Sequence, residues 1–475
     1  MVFTSTIFMF VFLPAIITTY FLIPEKYRNI LLLLASLFFY AWGEPKHIVV
    51  MLVSILINYY FGYKVHENAE NSKKKRNSLI LAIIANLSML MFFKYGNFIV
   101  NNINSMLGLV RVNQQININP IHLPIGISFF TFQGLSYVLD VYKNEAKVQK
   151  NIYNLALYIS LFPQLIAGPI VRYQDVADEI EKREVTTEKF AAGIKRFVIG
   201  FAKKILIANQ LGLVADKIFS IEIAGVPTSV AWLGVICYTM QIYYDFSGYS
   251  DMAIGLGKIF GFTFLENFNF PYVSKSITEF WRRWHISLTT WFRDYVYIPL
   301  GGNRKGQARS YINLFIVFLL SGLWHGASWN FVFWGVYNGG FLALEKAGFG
   351  KFLNKLWKPL RHIYTMVIVM VGWVFFRIEN LASAVEYLKH MFIYEAPTNL
   401  HYMNLYINPK IVLVLIMAVI LSAPILKYMK SGIDKIMGDK VIYNVAINIG
   451  IMALLIICLI VLAGSTYNPF IYFRF

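Results

Sequence analysis

Long apolar runs with very few charges recur throughout the sequence. Apolar residues make up 57% of the 475 residues and charged residues only 14%, so a soluble fold of this size would lack the polar residues to cover its surface. The clear runs approach the roughly 20 residues that cross the hydrocarbon core of a bilayer as a helix. They cover residues 2–23, 48–63, 78–93, 312–344, 411–426 and 441–462. The sequence therefore predicts an integral membrane protein.

A second set of apolar runs is shorter or interrupted by Pro and Gly: 29–42, 123–138, 152–170, 194–214, 231–244 and 364–376. Non-helical backbone at membrane depth persists only where protein or water surrounds it, so these runs indicate re-entrant segments that line a cavity. We expect an all-α, polytopic fold with roughly 10–13 membrane segments. Because no internal repeat, low-complexity tract or long linker divides the chain, we expect one domain over residues 1–475.

Basic residues predict the orientation, because Lys and Arg favour cytoplasmic loops. Segment 64–77 carries five of them and segment 24–28 two, whereas segment 43–47 carries one. Placing the more basic segments inside puts the N-terminus outside. The first run has no preceding basic residue and no clear small-residue cleavage site, so we do not expect a removable signal peptide.

The net charge of +18 has two interpretations. The general interpretation is that Lys and Arg favour cytoplasmic loops and are attracted to anionic lipid. A cytoplasmic site for a phosphate-bearing donor, such as a CoA thioester, explains it specifically. The basic residues alternate with apolar runs, which disfavours nucleic-acid binding. Cys237 and Cys458 both lie in apolar stretches, which indicates neither a disulfide nor a metal site.

Region 264–334 has a different character, and we predict that it is the catalytic core. Segment 279–302 is crowded with Trp, Arg and His. On one helix, an aromatic face would contain Trp281, Trp284, His285, Leu288, Trp291, Phe292 and Tyr295, with Arg282, Arg283, Thr289, Thr290 and Arg293 largely opposite. An interfacial amphipathic helix would make His285 a packing residue. An active-site helix would instead make His285 catalytic, with Trp281 and Trp284 beside the substrate.

His325 is the second candidate, because an ionisable residue inside an apolar run is costly and indicates function. On one helix, Ser321, Gly322, Ser328 and Trp329 would be its neighbours and would leave space for substrate. Helix packing through small residues is the competing interpretation. Imidazole, with an ordinary pKa of about 6.5, suits removal of a hydroxyl proton in acyl transfer. The sequence contains no Gly-x-Ser-x-Gly elbow and no evident metal-ligand cluster, so neither a serine nucleophile nor a metal is expected.

Several phrases, in order along the chain, resemble the membrane-bound O-acyltransferase (MBOAT) family, and within it the alginate O-acetyltransferase branch. They lie at 123–133, 162–173, 244–255, 266–272, 281–302, 323–329 and 468–475. The resemblance implies a helical ring around a funnel or tunnel. It assigns the family's two histidines to His325 and His285, and we expect structural roles for Asn267 and Asp294 in matching motifs.

The function implied is transfer of an acetyl group from cytoplasmic acetyl-CoA across a bacterial inner membrane, for O-acetylation of an extracytoplasmic polysaccharide. Acetyl-CoA would be a substrate, with no permanently bound cofactor, and an extracytoplasmic partner with a serine-hydrolase-like fold would complete the transfer. D-alanyl transfer to teichoic acid from a carrier-protein thioester is the alternative. A polysaccharide or lipid transporter is a third possibility, disfavoured because paired internal repeats are absent.

The predicted orientation is tested by labelling single cysteines from outside intact cells. A cysteine that replaces Pro45 should react, because the 43–47 segment is expected to be extracytoplasmic. A cysteine that replaces Lys74 should react only after the cells are permeabilised. Labelling of position 74 in intact cells would reverse the orientation.

Overall fold

The computed structural model describes residues 1–111, 115–425, 440–465 and 467–471, and for residues 440–443 only the backbone. Its regular structure in these residues is entirely helical, without a strand, which confirms the all-α prediction. Residue 426 of the predicted 411–426 run and residues 472–475 of the last motif lie outside the described residues.

The chain divides into two compact units, Met1–Gly193 with Leu256–Leu265, and Ile194–Gly255 with Glu266–Phe475. The prediction of a single domain stays a prediction. The α-helices of the first unit are Leu13–Leu22, Glu25–Gly43, Ile48–Glu67, Ser72–Leu90, Gly96–Leu109, Ile127–Lys143, Ile152–Ser160, Phe162–Leu165 and Tyr173–Glu181. Two further helices, Thr187–Ala202 and Thr228–Ile259, contribute residues to both units.

The second unit contains the α-helices Asn209–Phe219, Ile277–Arg283, Ile286–Phe292, Gln307–His325, Trp329–Leu344, Gly350–Lys355, Lys358–Arg377, Leu381–Phe392, Pro409–Leu421 and Lys440–Ala463. Short π-helical turns continue several helices: Phe8–Phe12, Met91–Tyr95, Lys203–Ala208, Arg293–Tyr297 and Glu345–Phe349. Three 3₁₀ turns lie at Ile223–Gly225, Pro271–Val273 and Met403–Leu405.

Among the described residues, five helical stretches are long and apolar enough to cross a membrane: Ile48–Glu67, Ser72–Leu109, Thr187–Phe219, Lys358–Arg377 and Asn444–Ala463. Phe8–Leu22 and Pro409–Leu421 are apolar but shorter. Only 6% of the residues in the most apolar stretch of Asn444–Ala463 are buried within the protein, which suits contact with lipid on nearly all sides. The predicted run 312–344 is not one span, because it divides into Gln307–His325 and Trp329–Leu344.

Helices of the first unit are joined by polar groups inside the apolar packing. The side-chain amides of Asn58 and Asn86 donate to each other's oxygens, both at 3.0 Å, between helices Ile48–Glu67 and Ser72–Leu90. Gly134 lies against this pair, since a Cβ there would come within 2.2 Å of the Asn58 amide nitrogen. Such interhelical hydrogen bonds specify which helix faces meet where hydrophobic attraction cannot.

Glycines set the close approach of the two helices around the predicted catalytic core. A Cβ at Gly322 would lie 2.3 Å from the Phe331 carbonyl oxygen, and one at Gly335 would lie 2.5 Å from the Phe318 carbonyl oxygen. Any larger residue at either position would therefore push the backbones apart. The crossing fixes helix Gln307–His325 against Trp329–Leu344 one turn before His325.

Charged residues of the 244–255 motif are paired within the second unit. Asp245, 2% exposed at its side chain, lies 2.6 Å from the ammonium of Lys204. The Asp251 carboxylate forms ion pairs with Arg196 and with Lys203, each at 2.6 Å. Buried charges require such partners, so these aspartates hold helices together.

Glu345 caps the short helix Ile277–Arg283 from a distant part of the chain. Its carboxylate accepts hydrogen bonds from the backbone N–H groups of Ile277 (2.7 Å) and Thr278 (2.9 Å) and from the Thr278 hydroxyl (2.6 Å). The first N–H groups of a helix have no partner within it, and a carboxylate also suits the positive end of the helix dipole. Glu345 therefore positions the helix that leads to His285.

We predict that Glu345→Gln lowers the free energy of unfolding by about 1–3 kcal/mol, because one amide oxygen cannot replace two carboxylate oxygens that together accept four hydrogen bonds, the fourth from the Tyr364 hydroxyl. Thermal unfolding of the purified protein in detergent measures the loss. Glu386→Gln, on an exposed side chain of helix Leu381–Phe392, is the control. Equal stability of the two variants would contradict the capping role.

Candidate active site

The predicted helix through the aromatic segment is broken at its histidine. Helix Ile277–Arg283 ends before Trp284, and Ile286–Phe292 begins after His285. His285 has φ 46° and ψ 53°, a left-handed conformation that is uncommon for a residue with a side chain. The prediction of one continuous helix is therefore wrong.

The physical reason for the break is a neighbouring loop that binds both of its sides. The Ile286 N–H donates to the Asn267 carbonyl (2.9 Å), and the Asn269 N–H donates to the Arg283 carbonyl (2.9 Å). The Asn267 side-chain oxygen also accepts from the N–H of Ser287 (3.2 Å) and from its hydroxyl (3.0 Å). These bonds replace those of a continuous helix and offset the cost of the left-handed residue.

The same Asn267 oxygen sets the tautomer of His285. It lies 3.1 Å from His285 Nδ1 and already accepts from Ser287, so Nδ1 carries the proton and donates. Burial lowers the pKa of His285 to about 3, because desolvation disfavours the charged imidazolium. His285 is therefore neutral near pH 7, with its lone pair on Nε2.

The division between aromatic and polar faces survives the break. Trp281, Trp284, His285, Leu288, Trp291, Phe292 and Tyr295 are all buried, whereas Arg282, Thr289 and Arg293 are exposed. Trp284 packs against Phe268 and Trp373, with ring centroids 5.0 and 4.9 Å away. The two sets of residues therefore still differ in burial, although no single helix carries them. Asp294, for which a structural role is predicted, pairs with Arg293 at 2.6 Å.

His325 is the last residue of helix Gln307–His325. Gly326 is extended, and a Cβ there would lie 2.2 Å from the Phe331 ring. Because the chain turns at this point, Ser328 and Trp329 belong to the next helix, and the expectation that they share a helical face with His325 is wrong.

The small residues near His325 serve packing and local side-chain hydrogen bonding in this structure. The space expected at Gly322 is filled by the Phe331 carbonyl and by Gly335. Ser321 is buried one turn before His325. Ser328 stands at the N-cap position of the following helix, and its hydroxyl donates to the Asn330 side-chain oxygen. Trp329 is 60% exposed, so it does not lie in the protein interior with His325.

Both histidines are buried in one aromatic cluster. The His325 ring contacts Trp324, Trp334 and Phe376, with centroids 4.9, 5.2 and 5.2 Å away and interplanar angles of 76–80°. The His285 ring contacts Phe246 at 4.7 Å and Trp324 at 5.9 Å. Trp324 therefore touches both imidazoles and brings the two predicted catalytic residues into one site.

Trp281 belongs to the same cluster through Trp334, whose ring lies 5.4 Å away in an edge-to-face contact. Its indole N–H donates to the Asn338 side-chain oxygen (3.2 Å), which fixes its orientation. Burial in this cluster keeps the His285 imidazole neutral, because desolvation disfavours its charged form.

Sequence reasoning missed four aromatic members of the cluster: Phe246, Trp324, Trp334 and Phe376. Trp324 is adjacent to His325 in the sequence, and Trp334 lies in the next helix. Their nearness to His325 along the chain could have indicated these two. Phe246 and Phe376 lie far from either histidine in the sequence, and nothing local marks them.

Comparison with known proteins shows the family to which the chain belongs. The sequence profile of the MBOAT, membrane-bound O-acyltransferase family matches residues 126–385, which include both histidines. The probable alginate O-acetylase AlgI of Pseudomonas aeruginosa is 45% identical over 82% of this chain and 75% of the relative. The peptidoglycan O-acetyltransferase of Helicobacter pylori is 37% identical, over 82% and 80% of the two chains.

A more distant similarity joins the chain to the teichoic acid D-alanyltransferase of Bacillus subtilis, which is 31% identical over 53% of this chain and 66% of the relative. All of these relatives carry names of acyl-transferring enzymes. The chain therefore belongs to the membrane-bound O-acyltransferase family and is a multi-pass membrane acyltransferase.

Proposed function

We propose that this protein transfers an acetyl group from cytoplasmic acetyl-CoA to a hydroxyl acceptor, as the membrane step in O-acetylation of an extracytoplasmic polysaccharide. The observation that carries the proposal is the aromatic cluster in which Trp324 contacts both His285 and His325. The relatives named alginate O-acetylase and peptidoglycan O-acetyltransferase support acetyl as the group transferred. Membership of an acyltransferase family sets the transporter interpretation aside.

The chemistry assigned to His325 is general-base catalysis. Its neutral imidazole takes the proton of the acceptor hydroxyl as the oxygen attacks the thioester carbonyl. The carbon–sulfur bond of the donor then breaks, and the CoA thiolate leaves and receives that proton from the imidazolium. The acetyl group ends as an ester on the acceptor oxygen, so atoms and charge balance without a metal or a covalent enzyme intermediate.

His285 has a separate part in this scheme. Its Nδ1–H donates to the side-chain oxygen of Asn267. The lone pair therefore lies on Nε2, which suits His285 to accept a hydrogen bond. Because its pKa is about 3, it is a weak base and suits orientation of the acceptor hydroxyl more than removal of its proton. His325 remains the group assigned to proton transfer.

The donor is proposed to bind on the cytoplasmic side. The excess of basic over acidic residues, 43 against 25, supports attraction of a phosphate-bearing CoA thioester. The bacterial inner membrane, with the N-terminus outside, is the proposed location. The proposed partner is an extracytoplasmic acetyltransferase with a serine-hydrolase-like fold, which would pass the acetyl group to the sugar.

D-alanyl transfer is the second candidate, favoured by the similarity to a teichoic acid D-alanyltransferase. That similarity covers about half of this chain, whereas the alginate O-acetylase similarity covers 82%. Incubating the purified protein with labelled acetyl-CoA and, separately, with a labelled D-alanyl carrier-protein thioester decides between the donors. Consumption of the carrier thioester alone would overturn the acetyl proposal.

We predict that His325→Ala reduces acyl transfer by at least the roughly 10²–10⁴-fold typical of losing a general base. Donor binding should largely persist, because the base is not the main contact for the donor. His325→Gln keeps a polar side chain, but an amide cannot accept a proton near neutral pH. This variant should therefore be as inactive as His325→Ala. Activity retained in His325→Gln at matched protein levels would make His325 a packing residue.

His285→Ala should also reduce acyl transfer strongly while the protein remains folded in the membrane. The loss should appear in the turnover rate, because His285 is buried within the aromatic cluster and is not exposed at the surface. His401→Ala, in a partly exposed segment of the second unit, is the matched control for expression and extraction. Turnover by His285→Ala close to that of the control would return His285 to a packing role.

A further inference from the structure

A cluster of metal-binding side chains lies in the first unit, apart from the histidines described above. Glu44 follows helix Glu25–Gly43, and His47 stands at the N-cap position of helix Ile48–Glu67. His122 lies in the non-helical segment that precedes helix Ile127–Lys143. One candidate ligand atom from each of these three residues lies within 4.8 Å of the others.

The geometry of the cluster is set by burial and stacking. The Glu44 carboxylate is 8% exposed and lies 2.7 Å from Nδ1 of His47, whose side chain is 22% exposed. The His47 and His122 rings are stacked, with centroids 4.8 Å apart and an interplanar angle of 20°. His122 is exposed. The carboxylate is thus fixed inside the protein, and one imidazole faces the surroundings and can turn toward it.

The chain segment before His122 is fastened to helix Gly96–Leu109. The Asn97 side chain accepts from the N–H of Ile121 and donates to its carbonyl, both at 2.9 Å. Asn104 binds Ile116 in the same two-bond manner, at 2.8 and 3.0 Å. Two asparagines therefore hold the segment in register, and the first of them fixes the residue next to His122.

The fit between Ile121 and the helix is also close. A Cβ at Gly96 would lie 2.6 Å from the Ile121 Cδ1 atom, so a larger residue at position 96 would require the end of the Ile121 side chain to move. The backbone at His122 is thereby held opposite the turn that carries Glu44 and His47. Nothing local in the sequence indicates the cluster, because His122 is remote from His47 along the chain; the expectation that no metal is bound stays a prediction, and the proposal that follows is its alternative.

We propose that Glu44, His47 and His122 form a binding site for a divalent first-row transition-metal ion of the Zn²⁺ type. Two imidazole nitrogens and one carboxylate oxygen are a ligand set suited to such ions. Zn²⁺ bonds of about 2.0–2.1 Å in tetrahedral geometry require ligand atoms roughly 3.3 Å apart. To reach that spacing, the ligand atoms, now within 4.8 Å of one another, have to draw closer to the ion, and the 2.7 Å contact between Glu44 and His47 has to lengthen slightly. The fourth position remains open to water or another ligand.

A simple ion pair between Glu44 and His47 is the competing role, and it makes a different prediction. It uses two of the three side chains and leaves His122 without a function. If the pair were only an ion pair, replacing Asn97, which fixes Ile121, would not change the affinity for metal. A metal site, in contrast, requires all three ligands and gains affinity from their fixed positions.

The test is titration of the tag-free, full-length protein in detergent with Zn²⁺ by calorimetry, and with Co²⁺ by visible absorption. We expect one ion per chain, and a rise in the melting temperature with added Zn²⁺. His122→Ala should weaken binding by more than the roughly 10–100-fold that follows loss of an outer partner. Asn97→Ala should weaken it less, because all three ligands remain.

His66→Ala, at an exposed position near the other end of helix Ile48–Glu67, is the matched control and should leave Zn²⁺ affinity unchanged. Because His122 is exposed, its replacement should not impair folding, and the melting temperature without metal checks this. Absence of saturable Zn²⁺ binding would overturn the proposal. So would equal affinity in His122→Ala, which would indicate adventitious binding elsewhere. The readouts do not depend on acyl transfer, so failure here would leave the proposed function unaffected.

Discussion

Wherever a helix of this protein ends away from water, its free backbone N–H and C=O groups have to find partners within the protein, because lipid supplies none. Asn267 meets this requirement at the break beside His285, where its carbonyl and side-chain oxygen accept from Ile286 and Ser287. Glu345 meets it at the start of helix Ile277–Arg283. Since these partners come from distant parts of the chain, the short helices around the candidate site keep their positions only when the surrounding fold is complete.

The breaks also decide which side chains can meet. On uninterrupted helices, His285 and His325 would each lie midway along a stripe of neighbours three and four residues apart. In the structure, His325 ends one helix and His285 joins two others, so both imidazoles extend from places where the chain changes direction. Trp324, one residue before the helix end, can consequently touch both rings. An unbroken helix at either position would separate the pair.

How far the sequence predicts this arrangement depends on the range of the interactions involved. Trp281 and Trp291 are buried, as residues of the face that helical periodicity predicts, although the helix breaks between them at Trp284 and His285. The breaks themselves depend on the Asn267 oxygen and on the Phe331 ring over Gly326, and neither contact leaves a periodic signal. The remote partners Phe246 and Phe376 are likewise set by tertiary packing alone. Family motifs point to both histidines because motifs record chemistry, and their catalytic roles stay predictions; the motifs do not describe backbone conformation.

A dry aromatic environment has a further consequence for acyl transfer. A thioester beside a neutral imidazole and water would be hydrolysed, since the base that activates an acceptor hydroxyl activates water equally well. Three aromatic rings lie with their centroids 4.9–5.2 Å from that of the His325 ring. An imidazolium formed during the reaction would be stabilised by aromatic faces by about 0.5–2 kcal/mol. Aromatic packing that limits the access of water to His325 would thus favour transfer to a hydroxyl over hydrolysis.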